Sequence, residues 1–141
     1  MKRVVLDTNV LAAAFRSRSG ASFRILQIVA LRQITPLLTT ALLLEYESVL
    51  KRPEQTSIHR LPPSRIDEAV EDIAALSEAV DIYYRWRPQL SDPKDELVLE
   101  AAVNGRADAL VTHNVRDFEP AAKQFGLRIL RPGELLEHLK T

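Results

Sequence analysis

The sequence predicts an α/β protein: one three-layer α/β/α domain over residues 1–141, with a central parallel sheet between its helices. Short runs of apolar and β-branched residues, typical of buried strands, alternate with longer segments whose apolar residues recur at helical spacing. Strands that alternate with helices form parallel sheets, because each helix returns the chain to the start of the next strand. The length of 141 residues is that of one domain, and no repeat or linker divides it.

Two strands and three helices are predicted in the first part of the chain. The strands are at Arg3–Leu6 and 35–39, and the helices are at 9–15, 22–32 and 40–51. Pro53 ends the last of these helices, because a proline disfavours the helical conformation in the residue before it. The apolar face of the helix at 22–32 is wide, so this helix is expected to be buried on two sides or to lie in a dimer interface.

The rest of the chain is predicted to alternate in the same way. After a loop at 54–61 we expect a helix at 63–80, a short strand at 82–84, a loop at 87–94, a helix at 96–104, a strand at 109–112, a helix at 119–125, a strand at 127–130 and a helix at 133–140. Gly105 and Gly126 each follow a predicted helix, at the position where a glycine closes a helix in the left-handed conformation.

The composition excludes several classes of protein. Nineteen basic and nineteen acidic side chains give no net charge, which argues against a purely electrostatic nucleic-acid binder. The chain has no cysteine, so disulfides and thiolate metal sites are excluded, as is typical of a reducing cytosol. Its longest apolar runs are too short to span a bilayer, and a charge follows Met1 before a signal-peptide hydrophobic region could form. We therefore expect a cytoplasmic protein with no membrane contact.

The charges are unevenly distributed along the chain. Residues 1–32 contain six Lys or Arg side chains and one acid, whereas residues 61–81 contain six acids and one arginine. This pattern fits two solvated faces of a globular protein. It fits equally well a basic rim that faces RNA, with the acidic helix on the opposite side of the molecule.

Acidic residues follow the predicted strands, at the edge where sheets of this class hold their sites. Asp7 follows the first strand directly, and Glu45 lies about a turn and a half into the helix after the second. Asp95 and Glu96 begin a later helix, and Asp117 follows the fourth predicted strand. Taken singly, each acid has a structural explanation, such as a helix cap, a helix dipole or a solvated surface. The set is harder to explain in this way, because the fold brings all of these positions to one place.

Several carboxylates in one place repel one another unless a cation compensates their charge, so the set predicts a bound metal ion. Oxygen ligands of this kind suit Mg²⁺ or Mn²⁺ rather than zinc. A divalent ion held by carboxylates can activate water for attack on a phosphodiester bond. Four polar residues are expected to orient the carboxylates or this water: Thr8, Asn9, Thr112 and Asn114. The three histidines are scattered, and no Gly-rich phosphate loop is present.

Four segments, taken in order, resemble the PIN domain family, and the resemblance covers essentially the whole chain. They are residues 4–11 around Asp7-Thr8-Asn9, residues 39–53 around Leu44-Glu45-Tyr46, residues 92–108 beginning with Asp92-Pro93-Lys94-Asp95-Glu96, and residues 109–118. The resemblance is strongest to toxins of type II toxin–antitoxin systems. It implies an endoribonuclease that depends on Mg²⁺ or Mn²⁺, forms a homodimer and is held inactive by a small antitoxin protein.

The resemblance also implies a role for each acid. Asp7 matches the family's first acid and Glu45 its second, each as a catalytic and metal-binding residue. The third is Asp95 or Glu96, and Asp95 is favoured because small or apolar residues follow it three and seven positions on. Asp92 is then a capping or loop residue.

The fourth segment departs from the family pattern. Asn114 stands where some relatives carry Asp, and Asp117 supplies the acid instead, which leaves open whether the site binds one metal ion or two. The departure also keeps open a second hypothesis, a PIN-fold module that binds RNA or a protein partner with little or no catalysis. A third hypothesis is an acidic pocket like those of flavodoxin-like or response-regulator-like proteins. It is disfavoured because no lysine lies near the end of a late strand.

Overall fold

The structure is a computed structural model that describes residues 2–84 and 90–140. Within these residues, five strands form one sheet in the order β3-β2-β1-β4-β5, and every neighbouring pair is parallel. The strands are β1 (Arg3–Leu6), β2 (Thr35–Leu38), β3 (Glu78–Ala79), β4 (Ala109–Val111) and β5 (Ile129–Leu130). The predicted central parallel sheet is confirmed.

Helices flank this sheet and complete the predicted three layers. They are α1 (Thr8–Arg16), α2 (Ala21–Ala30), α3 (Thr40–Leu50), α4 (Pro53–His59), α5 (Pro63–Leu76), α6 (Pro93–Gly105), α7 (Val115–Phe125) and α8 (Pro132–Leu139). The helix α6 packs against β1, β2 and β4, whereas α1 packs against α2, α3 and α4. Among the described residues, no helix is long and apolar enough to cross a membrane.

The strand order determines where a ligand can bind. The chain extends the sheet from β1 through β2 to β3 and then returns to add β4 and β5 on the other side of β1. Crossovers therefore diverge between β1 and β4, and such a switch point opens a crevice beyond the carboxyl ends of the strands. The flavodoxin-like order places β1 between β2 and β3, so the third hypothesis is excluded. The two central strands are buried throughout, apart from Arg3, and they fix the floor of the crevice.

The helix α2 resolves one of the alternatives left by the sequence. It packs against α1 and against α8, and Ile28 and Val29 belong to the buried core. Its wide apolar face is therefore explained within one chain, by burial on two sides. A charge at Ile28 or Val29 would disrupt the core rather than report on a dimer.

Three predicted elements differ from the structure. Most of the predicted loop at 54–61 belongs to the helix α4, which ends at His59 and is followed by Arg60 in the left-handed conformation (φ 57°). The helix predicted at 63–80 ends at Leu76, and the strand that follows is Glu78–Ala79 rather than 82–84. Pairing with β2 determines this register, because Glu78 and Ala79 align with Leu37 and Leu38.

The boundaries of α6 and α7 also differ from the prediction. The helix α6 begins at Pro93, with Asp92 as its N-cap accepting a hydrogen bond from the Lys94 backbone N–H at 2.9 Å, so the capping role of Asp92 is confirmed. The predicted loop at 87–94 therefore ends before Pro93, and its first three residues lie outside the described residues. The helix α7 begins at Val115 rather than at 119, which places Asp117 in its first turn.

The two glycines predicted as helix caps have different roles. Gly126 has φ 62° and closes α7, as predicted. Gly105 is the last residue of α6, and Arg106 adopts the left-handed conformation in its place (φ 51°). A Cβ at position 105 would lie 2.9 Å from Leu37 Cδ1 and 3.0 Å from Val80 Cγ2, so this glycine permits close packing of α6 on the sheet.

Candidate functional site

An open pocket of about 490 Å³ lies at the switch point, beyond the carboxyl ends of β1 and β4. Residues from α1, α3, α4, α6 and the β4–α7 loop line it. Six of the predicted site residues are among them: Asp7, Thr8, Asn9, Glu45, Asp95 and Asn114. The fold therefore brings together residues that are more than 100 positions apart in the sequence.

Asp7 joins the two central strands at the floor of the pocket. It is the N-cap residue of α1, but its side chain makes no capping hydrogen bond. Its Oδ2 instead accepts a hydrogen bond of 2.7 Å from Thr112 Oγ1, and its backbone N–H donates to Val111 O at 2.8 Å. Burial raises the pKa of Asp7, the hydrogen bond from Thr112 opposes that shift, and the negative charge of Asp117 adds to it.

Thr112 organises the polar residues around Asp7. It is fully buried, and its Oγ1 accepts hydrogen bonds from the backbone N–H of Asn114 at 2.9 Å and from Asn9 Nδ2 at 3.4 Å. Asn9 Oδ1 in turn accepts from the backbone N–H of His113 at 3.3 Å. These bonds fasten the β4–α7 loop to the start of α1 and fix the orientation of the Asp7 carboxylate.

Asp95 and Asp117 approach Asp7 from two other helices. Asp95 lies in the first turn of α6, and its pKa is raised to about 6 by burial and by the negative charges of Asp7, Asp92, Asp117 and Glu96. Asp117 is exposed in the first turn of α7 and lies outside the pocket lining, yet its charge raises the pKa of both other carboxyls. The negative charges of these three carboxylates, which come from separate elements, therefore act on one another at this edge of the sheet.

Glu45 lies on the other side of the pocket, on α3. Its side chain is 15% exposed, and Oε1 lies 3.6 Å from Arg52 Nη2 and 3.8 Å from Lys94 Nζ. The neighbouring acid Glu47 points elsewhere, because it pairs with Lys51 at 2.8 Å. Of the two acids on α3, Glu45 is the one that lines the pocket.

The structure separates the two candidates for the third acid. Asp95 lines the pocket, whereas Glu96 is buried and does not. Glu96 Oε1 accepts a hydrogen bond of 2.6 Å from the backbone N–H of Leu90, and so holds the segment that leads into α6. Of the two side chains, only that of Asp95 is placed to contact a ligand in the pocket.

The donor set fits a hard divalent cation, although it does not form a closed cage. Among residues 2–84 and 90–140, no three His, Cys, Asp or Glu side chains lie close enough together to enclose a metal ion as they stand. The groups that converge are carboxylates, and carboxylate oxygens suit Mg²⁺ or Mn²⁺. The raised pKa of Asp95 reflects its burial first and then repulsion by nearby acids, and a bound cation would favour the ionised form against both.

Several residues at this site were not predicted from the sequence. Arg16, Arg52 and Lys94 surround the acidic floor of the pocket, and Gln55 is buried beside Arg16. The basic excess in residues 1–32 was a partial indication of Arg16. The other residues come from separate elements, and no spacing along the chain connects them.

Tyr46 was also missed, although it directly follows Glu45. Its ring is buried, and its hydroxyl donates a hydrogen bond to the carbonyl of Leu6, the residue before Asp7. Burial, together with the charge of Asp7, raises the Tyr46 pKa, so the hydroxyl remains a donor. This bond connects α3 to the end of β1 and so helps to fix the position of Asp7.

Comparisons with known proteins agree with this fold. Residues 3–116 match the sequence model of the PIN domain, a span that includes Asp7, Glu45 and Asp95 and ends one residue before Asp117. No curated protein matches the sequence. Among solved structures, this chain is similar, with a TM-score of 0.60, to a chain in the crystal structure of VapBC2 from Rickettsia felis bound to a DNA fragment from the VapBC2 promoter. The similarity covers 92% of this chain and 98% of that one at 17% sequence identity, and it shows the same fold.

Proposed function

Because the chain belongs to the PIN domain family, whose members are generally nucleases, we propose that it is a metal-dependent endoribonuclease that hydrolyses RNA phosphodiester bonds. The observation that carries this proposal is the pocket at the switch point of the sheet, which Asp7, Glu45 and Asp95 line from separate elements, with the charge of Asp117 acting on Asp7 and Asp95 from beside it. Such crowding costs free energy, and it is most readily explained by a ligand of opposite charge.

Under this proposal, Asp7, Asp95 and Asp117 hold Mg²⁺ or Mn²⁺, and Glu45 completes the acidic set from the α3 side. A divalent ion bound there supplies an activated water and compensates charge on the leaving oxygen. Thr112 keeps the Asp7 carboxylate in one orientation through the bond to Oδ2. In this proposal the buried Glu96 does not bind the ion, and its role is to hold the segment before α6 through the bond to Leu90.

The biological role proposed is that of a toxin in a type II toxin–antitoxin system, acting in the cytoplasm as a homodimer and inhibited by a cognate antitoxin. Support comes from the family match and from the similarity of the fold to a chain of the VapBC2 complex. Co-expression with a small protein encoded beside it would test this role. We expect growth arrest on expression alone, and rescue by the neighbouring protein.

The activity is tested by incubating a mixed RNA pool with purified protein and Mn²⁺. We expect cleavage that is abolished by EDTA and by Asp7→Asn, which retains the size of the side chain and removes its charge. Glu47→Gln is the matched control, because it removes an acid from the same region of the fold that faces away from the pocket. Absence of cleavage by folded protein that is free of antitoxin would contradict the proposal.

A second candidate is a PIN-fold module that binds RNA or a protein partner with little or no catalysis. Asn114 favours it, because this neutral amide lines the pocket at a position where some relatives have an acid. Titration with Mn²⁺ separates the two candidates, since a nuclease of the proposed kind must bind the ion at the carboxylates. Binding that is absent, or unaffected by Asp7→Asn, would favour the second candidate.

A further inference from the structure

Three cationic side chains surround the acidic pocket: Arg16 at the end of α1, Arg52 between α3 and α4, and Lys94 in the first turn of α6. We call these three residues the cationic rim. They come from different elements and meet only in the fold. Their positions around a pocket lined by carboxylates call for an explanation, because a cationic side chain on an ordinary solvated surface does not have to be held in one conformation.

Arg16 is held by a buried partner rather than by an acid. Its Nε donates a hydrogen bond of 3.0 Å to Gln55 Oε1, and Gln55 is only 8% exposed. Among residues 2–84 and 90–140, no carboxylate lies within ion-pair distance of Arg16. A guanidinium group has five N–H donors in a rigid fork, and this contact uses the one at Nε. The charge of Arg16 is therefore fixed in position but not neutralised, which suits the binding of a phosphate.

Arg52 and Lys94 are also available to a ligand. Both lie near Glu45 Oε1, but the separations of 3.6 Å and 3.8 Å exceed the usual hydrogen-bond range. The two cations share one oxygen of one carboxylate, so neither is fully compensated. More than a third of each side chain is exposed. A phosphate oxygen could replace Glu45 as their partner without uncovering buried surface.

The balance of charge in the pocket depends on a bound cation. Its lining includes the three cations of the rim and four carboxylates, those of Asp7, Glu45, Asp92 and Asp95. Asp117, just outside the lining, adds a fifth carboxylate whose charge acts on Asp7 and Asp95, so without metal the acids exceed the cations by two charges and a divalent ion would balance them. With the excess negative charge of the carboxylates balanced in this way, the rim of an otherwise uncharged chain can attract a polyanion locally.

We propose that the cationic rim binds backbone phosphates of an RNA strand on either side of the phosphodiester to be cleaved, and that Gln55 is a positioning residue for Arg16. This proposal rests on the proposed function, because it describes how the substrate of that site is held. Contacts to phosphates carry no base information, so the rim supplies affinity and register rather than sequence preference.

Binding of a fluorescently labelled single-stranded RNA tests the rim directly. Anisotropy is measured at several salt concentrations in Ca²⁺, and a gel verifies that the RNA remains intact. We expect Arg16→Gln, Arg52→Gln and Lys94→Gln each to weaken binding about tenfold, as for one lost charge-assisted hydrogen bond. Each should also lower the slope of log affinity against log salt by about 0.7, the value for one phosphate contact on a single strand.

The chain contains a matched control for the Arg16–Gln55 contact. Arg24 Nη1 donates to Gln27 Oε1 at 3.4 Å on α2, and neither residue lines the pocket. We expect Arg24→Gln and Gln27→Met to leave affinity and salt slope unchanged. Equal losses from Arg16→Gln and Arg24→Gln would overturn the proposal, because binding would then depend on overall charge alone.

The positioning role of Gln55 is tested by a double-mutant cycle. Gln55→Met removes the acceptor at similar size, and we expect it to weaken RNA binding less than Arg16→Gln does. The double variant should bind like Arg16→Gln alone, because Gln55 acts only through Arg16. Additive losses would contradict this role. If Gln55→Met does not fold, the exposed Arg16→Gln variant still tests the rim.

Failure of the rim and failure of the proposed function give different results. If wild-type protein cleaves RNA and Arg16→Gln leaves both affinity and KM unchanged, the proposal that the cationic rim binds RNA is wrong and the proposed nuclease activity is supported. If wild-type protein cleaves nothing, yet the rim variants lose binding and the controls do not, the nuclease is wrong and the rim stands. Both are supported if Arg16→Gln raises KM while kcat changes little, because phosphates bound equally in the ground and transition states affect KM.

Discussion

Folding shifts the pKa of acidic side chains in opposite directions at the two ends of the parallel sheet. At the amino ends of the strands, Arg3 Nη2 donates a hydrogen bond of 2.6 Å to Glu78 Oε2. Asp108 Oδ2 accepts hydrogen bonds from the backbone N–H groups of Lys2 and Arg3, at 3.1 and 2.9 Å. The Arg3 guanidinium holds the pKa of Glu78 below its usual value, and the hydrogen bond from the Arg3 backbone does the same for Asp108. At the carboxyl ends, burial and mutual repulsion raise the pKa of Asp7 and Asp95.

This difference separates charges that stabilise the fold from charges that reduce its stability. A group whose pKa is lowered by folding favours the folded state when ionised, whereas one whose pKa is raised disfavours it. The amino-end acids thus contribute to stability at neutral pH, and Asp7 and Asp95 oppose it. Residues that reduce stability and lie together in a pocket are candidates for function, because the binding of a ligand can compensate the lost stability.

The largest effect is expected from Asp95→Asn. If Asp95 is a metal ligand, RNA cleavage in Mn²⁺ should fall by roughly 100-fold or more, beyond what a supporting residue would cost. In metal-free buffer the same variant should melt at a higher temperature, because it removes a charge that is partly buried and repelled by neighbouring acids.

Glu96→Gln is the control for this prediction, since an amide oxygen can still accept the hydrogen bond from Leu90. We expect it to retain most of the cleavage activity. The opposite pattern, with activity lost in Glu96→Gln and retained in Asp95→Asn, would assign the third acid to Glu96.

Thr112→Val is expected to have the next largest effect. It keeps the β-branched shape beside β4 but removes the hydroxyl that donates to Asp7 and accepts from Asn114. The free energy of unfolding in urea should fall by about 1–3 kcal/mol, because buried polar groups lose their partner. Cleavage should fall as well, as the Asp7 carboxylate is no longer oriented. Thr112→Ser retains the hydroxyl and should recover most of both properties, and a Ser variant as impaired as Val would contradict the account.

The sequence predicted the parts of the fold that depend on local pattern. Apolar runs located β1, β2, β4 and β5, and the rule that sites follow the strands of a parallel sheet located Asp7 and Asp95. The family match and the shared fold agree with the predicted fold class. Elements with little apolar content were predicted wrongly. The strand β3 has two exposed residues and is defined by its pairing with β2, and α4 lies in a polar segment.

The sequence could not predict contacts between elements that are distant along the chain. Gly105 permits α6 to approach Leu37 and Val80, and nothing near it in the sequence distinguishes this role from a helix cap. The cationic rim likewise depends on contacts between residues that are distant along the chain. Arg16 acquires its position from Gln55, which lies 39 residues away on a helix that was predicted as a loop. Periodicity along the sequence predicts which face of a helix is buried, whereas a site assembled from several elements is determined by how those elements pack.

Stability should depend on pH in opposite directions for the two ends of the sheet. In the metal-free protein, folding raises the pKa of Asp95 to about 6 from an unfolded value near 3.8. The carboxyl therefore contributes stability that is fully present below the unfolded value and is lost as pH rises through about 6. We expect Asp95→Asn to flatten this part of the stability profile, measured by urea unfolding between pH 3.5 and about 7. An unchanged profile would show that Asp95 is not crowded in solution.

The smallest effect is expected at the amino ends, from Glu78→Gln. Folding lowers the pKa of Glu78, so its pairing with Arg3 stabilises the protein above the unfolded value near 4.5 and is lost as pH falls through the folded value. The ion pair is largely exposed and screened by solvent, so its removal should cost roughly 0.2–1 kcal/mol at pH 7 and nothing at pH 2. The matched control is Glu137→Gln, which breaks a more exposed pair with Lys140 on α8 and should cost less. A Glu78→Gln variant that melts like wild type at pH 7 would mean that only the Asp108 hydrogen bonds stabilise this end of the sheet, and the contrast between the two ends would be correspondingly weaker.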